Sequence, residues 1–66
     1  MLINVKGPDG NAYVIMGAVE QILKATGRGK EVQSIVADMM SSDYKHLIKV
    51  AEKATKGTLT FDGLDD

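Results

Sequence analysis

Few side chains in this chain could do chemistry, and their spacing limits what they could do. His46 is the only histidine and there is no cysteine, so a metal site would need His46 with carboxylates such as Asp43 or Asp62. A single histidine at the margin of an amphipathic helix is better read as a solvated side chain, because a general base also needs an orienting partner and a pocket. Ser34, Ser41 and Ser42 lack a Gly-x-Ser-x-Gly context and read as a helix-surface residue and as caps. The expectation is a non-enzyme with no catalytic residue, no metal and no cofactor.

Two anion-binding features stand against plainer readings. Gly7-Pro8-Asp9-Gly10-Asn11 leads into a helix, where free amides and the helix dipole attract phosphate. The Gly-x-x-x-x-Gly-Lys-Ser/Thr spacing is missing, however, and Asp9 would repel the anion, so a strand-to-helix turn is the stronger reading. Lys45, Lys49, Lys53 and Lys56 recur at spacings of four, four and three, so they are expected along one face of a helix. Gly10, Asn11, Lys45, Lys49 and Lys53 form the candidate anion or nucleotide site. A solvated face, with Glu52 offering intrahelical pairs, is the plainer account of the lysines. The aromatics available to stack bases are Tyr13, Tyr44 and Phe61, and two of them look committed to the core.

A second set of residues points to contact with another protein. Gly17 inside a helix costs about 1 kcal/mol relative to alanine, and a close crossing would explain it. With Tyr13 one turn before and Glu20 after, Gly17 opens a flat patch. Val14, Ala18 and Ala25 make the same helix apolar off its main stripe, so either it is central in the fold or part of it is a dimer or partner surface. Met40 could add an adaptable contact, with Met39 in the core. Tyr13, Gly17, Glu20 and Met40 are the candidate interaction residues.

These side chains must be held by a small scaffold. Leu2-Ile3-Asn4-Val5-Lys6 is a β-prone run ended by the Gly7–Gly10 turn. From there Asn11 or Asp9 caps a helix with Ala12, Ile15, Met16, Val19, Ile22 and Leu23 on one face and Gly27 as its stop; a competing reading makes Tyr13–Met16 a strand returning from a hairpin. The helical reading accounts for more residues. Lys30 to Met40 places Val32, Ile35, Val36 and Met39 on one helical face. Ser41-Ser42-Asp43 offers caps for a third helix with Tyr44, Leu47, Ile48, Ala51 and Ala54 apolar, stopped by Gly57. Thr58–Asp62 alternates as a second strand, and 63–66 should fray. The predicted fold is α+β, a single domain over 1–66 in the order β-α-α-α-β, with strands 2–6 and 58–62 paired in a two-stranded sheet on three helices. Such a sheet keeps two open edges.

Composition bounds the function class. Sixty-six residues with 44% hydrophobic and 26% charged side chains make one globular domain without a transmembrane run. A core this small makes a homodimer a reasonable expectation. The net charge of −1 argues against a general nucleic-acid binder. It hides a basic stretch of +3 over 45–56 and an acidic end of −3 over 57–66. The first residues lack the basic and apolar regions of a signal peptide, which sets the expectation of a cytoplasmic protein.

The segment Gly7-Pro8-Asp9-Gly10-Asn11-Ala12-Tyr13 with Ile15-Met16-Gly17, followed by Met39-Met40-Ser41-Ser42-Asp43-Tyr44 and His46-Leu47, resembles a group of short accessory proteins of tailed bacteriophages and prophages. The resemblance covers most of the chain and implies a setting, the host cytoplasm, with no catalytic residues to carry over. The lysine-rich third helix and the acidic end depart from that pattern. The leading expectation is a non-enzymatic accessory factor that binds and modulates a host protein, in host takeover or counter-defence. The alternative is an oligomeric protein that sequesters a phosphorylated metabolite or signalling nucleotide; an oligonucleotide binder ranks last.

Overall fold

The computed structural model describes residues 1–63. Strand β1 (Leu2–Asn4) leads through a 3-10 turn at Pro8–Gly10 into helix α1 (Ala12–Ala25). A second 3-10 turn at Gly29–Glu31 precedes α2 (Val32–Met39), and α3 (Tyr44–Ala54) then leads to β2 (Thr60–Asp62). The strands pair in parallel, with Leu2 opposite Thr60, Ile3 opposite Phe61 and Asn4 opposite Asp62. Parallel neighbours need a long crossover, and the three helices are that crossover. The α+β order expected from the sequence is the order observed.

The strands are shorter than 2–6 and 58–62 for local reasons. Asn4 ends β1 by accepting the Lys6 amide on Oδ1 at 3.0 Å and the Gly7 amide on its carbonyl at 3.0 Å. At the other strand, Thr55 holds the Thr58 amide on its carbonyl and the Leu59 amide on Oγ1, so pairing starts only at Thr60. Of residues 63–66, expected to fray, only Gly63 is described; 64–66 lie outside the described residues.

Each helix begins and ends on identifiable groups. Asn11 Oδ1 accepts the Tyr13 amide at 2.8 Å, which starts α1 at Ala12 and removes the hairpin alternative for Tyr13–Met16. Gly27, at φ 78°, stops α1 while Arg28 N–H donates to the Leu23 carbonyl at 2.7 Å. Asp43, rather than either serine, caps α3 by accepting the His46 amide at 3.0 Å. Past Ala54 the left-handed turn falls on two residues, Lys56 at φ 54° and Gly57 at φ 83°. Lys56 therefore lies beyond the helix and off the lysine row expected on α3.

Ile15, Val19, Leu23, Met39 and Leu59 are fully buried, joined by Ile3, Met16, Leu47, Ile48 and Ala51. The helical residues among them belong to the apolar faces read from spacing, while Ala12, Ile22, Val32, Ile35, Val36 and Tyr44 of those faces are only partly buried. The exposed surface of 4325 Å² is close to the roughly 4,100 Å² expected of a folded monomer of this size. Helix α1 is not buried all round: Val14 is 47% exposed, and Gly17 and Ala25 face outward. Nothing lies within 4 Å of a Cβ placed on Gly17, so the expected close crossing does not occur within the chain. The glycine forced by packing is Gly10, whose Cβ would stand 2.1 Å from the Val5 carbonyl oxygen.

Candidate functional site

Three helix ends meet on one side of the molecule. The Asn11 cap sets the phase of α1, which turns Met16 inward and leaves Tyr13 outside. The Asp43 cap does the same for α3, placing Tyr44 and Leu47 toward α1. Between them α2 ends at Met39, which is buried, and Met40 follows in the connector with its side chain out. The result is a groove of about 250 Å³ with Met16, Met39 and Leu47 beneath and Tyr13 and Met40 at its lips. Tyr13 is 77% exposed and Met40 61%. Large apolar side chains held out of the core around a concavity mark a contact surface more than scattered ones do.

The groove is braced by polar contacts on its flanks. Tyr44 donates its hydroxyl to the Gly10 carbonyl, tying α3 to the turn before α1, and burial pushes its phenol pKa up. Across the α2–α3 corner, His46 Nε2 lies 2.9 Å from Asp38 Oδ1, while Ser41 Oγ donates to the Asp38 carbonyl at 2.6 Å. His46 thus has a partner, eight residues back, that its helix margin did not reveal; neither Asp43 nor Asp62 joins its ring. Among the described residues no group of three or more histidine, aspartate or glutamate side chains could hold a metal.

The other proposed sets fare differently. Tyr13 and Met40 come together in the groove, whereas Gly17 lies one turn along α1 and the Glu20 carboxylate pairs with Lys24 at 3.0 Å. Met16, Asp43, Tyr44 and Leu47 also line the site without having been singled out for it; the signal was the i, i+3 spacing from Tyr13 to Met16 and from Tyr44 to Leu47. On the anion side, the Gly10 amide donates to the Gly7 carbonyl at 3.0 Å and the Asn11 amide to the Pro8 carbonyl at 3.4 Å. The Asn11 side chain is spent on the cap, so this turn offers a phosphate neither amide. Lys45, Lys49 and Lys53 stand exposed on α3, and among the described residues neither they nor Glu52 form an ion pair within 4.0 Å.

At the opposite side of the helical layer the polar groups are tied together. Arg28 Nε and Nη2 each donate to Glu31 at 2.9 Å, and Nη1 donates to the Ala54 carbonyl at the end of α3. The paired hydrogen bonds, then the opposite charge, raise the Arg28 pKa and hold the Glu31 carboxyl below its ordinary value. Arg28 borders two further concavities of about 290 and 210 Å³, but no large apolar side chain stands exposed at either. No helix among the described residues is long and apolar enough to cross a membrane. Comparison with protein-family models, with curated proteins and with solved structures finds no match, so the site itself must carry the reading.

Proposed function

We propose that this chain is a non-enzymatic accessory protein of the phage or prophage kind that binds a host protein and modulates it, and that the Tyr13–Met40 groove makes the contact. The observation that carries this reading is the exposure of Tyr13 and Met40 over a floor of Met16 and Met39. Methionine adapts its shape to what lies against it, which suits a surface that must close on a partner side chain. The volume also favours a protein partner. At about 250 Å³ the groove is smaller than the roughly 300–1,000 Å³ of small-molecule sites, and it suits one or two side chains. The proposal includes a homodimer formed through the open edge of β1, where Met1 and Leu2 are 68% and 67% exposed, leaving the groove free.

The second reading, sequestration of a phosphorylated ligand, is favoured by one feature, the exposed row of Lys45, Lys49 and Lys53 without carboxylate partners. Parallel capture from a bacterial host lysate tests both. A protein retained by the tagged wild type and lost from Tyr13→Ser/Met40→Ser supports the interaction reading; retention by both, or by neither, contradicts it. A saturable, salt-sensitive rise in melting temperature with one nucleotide, abolished in Lys49→Gln/Lys53→Gln, would put the second reading first.

A further inference from the structure

Nine residues line the groove, and Asp43 is the single charged side chain among them. Its Oδ1 is occupied by the His46 amide at 3.0 Å, while Oδ2 has no hydrogen-bond partner among the described residues. The apolar floor therefore ends at a carboxylate with one oxygen to spare. We infer that the groove recognises an aromatic or branched apolar side chain of a foreign protein partner with a lysine or arginine next to it in sequence, the apolar group seated over Met16 and Met39 and the cation on Asp43. This rests on the proposed interaction function and specifies its partner. A buried anchor concentrates the energy of a small interface, and a charge at its rim adds specificity more than affinity.

Charge complementarity also separates a foreign partner from a second copy. The exposed large apolar residues described are Met1, Leu2, Tyr13, Val14 and Met40, and none has lysine or arginine beside it in sequence. This chain lacks the pairing that its own groove would select.

The test is an amide-resolved NMR titration of the full chain with three hexapeptides of Gly and Ser around Trp-Arg, Trp-Glu or Gly-Arg. Shifts confined to residues around Tyr13, Met16, Met40 and Tyr44, with Trp-Arg binding about fivefold more tightly than Trp-Glu, are expected, as an exposed charge pair gives a few-fold. Asp43→Asn keeps a good helix cap and removes the charge, so it should bring the two peptides within about twofold. Groove binding with no preference for Trp-Arg overturns the cationic specificity, and equal binding of Gly-Arg overturns the anchor. No shift up to the solubility limit overturns both. In each of those cases groove-dependent capture from lysate would leave the interaction function standing, so the two failures are distinguishable. Concentration-dependent shifts at the groove without peptide would assign it to a second copy and overturn the inference.

Discussion

The two ends of the helical layer use the same three helices and differ in what they leave exposed. Where α1 and α3 finish, Arg28 binds Glu31 and the Ala54 carbonyl, and Thr55 Oγ1 links the Ala51 carbonyl at 2.8 Å to the Leu59 amide at 3.2 Å. Where α1 and α3 begin, the caps satisfy the first amides, yet Tyr13 and Met40 stay in solvent. Both ends carry side chains that join elements, Tyr44 to Gly10 and His46 to Asp38 at the groove among them, but only the groove end of the helical layer also holds large apolar side chains in solvent. In a domain this small, where each contact is a large share of a marginal stability, side chains left out of the core are the natural place to look for function.

The largest expected effect breaks the scaffold beneath both ends. Gly10→Ala forces a Cβ into the Val5 backbone 2.1 Å away, so the turn that receives the Tyr44 hydroxyl must move. A loss of about 3 kcal/mol, at the upper end of overpacking costs, should appear in urea unfolding. Unchanged stability would mean that the turn has another conformation. Next comes the tied end. Thr55 is 4% exposed, and Thr55→Val leaves the Leu59 amide without its acceptor, for a loss of about 2 kcal/mol by the same measurement. A neutral result would remove the claim that polar ties hold this end.

Gly17→Ala sharpens the comparison in the other direction. With nothing within 4 Å of the new Cβ, the gain in helix propensity should show as about 1 kcal/mol of added stability. Destabilisation would restore the close crossing that the fold does not contain. A smaller, pH-dependent effect belongs to Glu31, whose carboxyl is held low foremost by the Arg28 hydrogen bonds, with the charges of Arg28 and Lys56 adding. A depressed folded-state value means the contribution is full above the unfolded glutamate value of about 4.3 and is lost as pH falls through the folded one. The stability gap between wild type and Glu31→Gln should therefore narrow in acid, and a gap that widens would reverse the sign.

Much of the scaffold was legible because periodicity reports burial directly. Ile15, Met16, Val19 and Leu23 on α1, and Leu47, Ile48 and Ala51 on α3, are buried as their spacing implies. The site was legible only in part. Tyr13 and Met40 are apolar residues off the core stripes, which spacing can flag, but their meeting across twenty-seven positions depends on how α1 and α3 are placed side by side. Gly17 shows the opposite limit, since a helical glycine looks the same in sequence whether it faces a crossing or water. The His46–Asp38 and Arg28–Ala54 contacts were hidden for the same reason: they join residues on different elements, and no local pattern records which elements touch.

The most direct test of the account pairs two readouts on one variant, Tyr13→Ser/Met40→Ser. If the open end serves recognition rather than stability, unfolding by urea should shift by no more than about 1 kcal/mol, the sum expected of two exposed positions, while the host protein captured by wild type is lost. Capture that survives the double substitution, or a stability loss large enough to explain its disappearance, would contradict the division of the molecule into a tied end and a binding end.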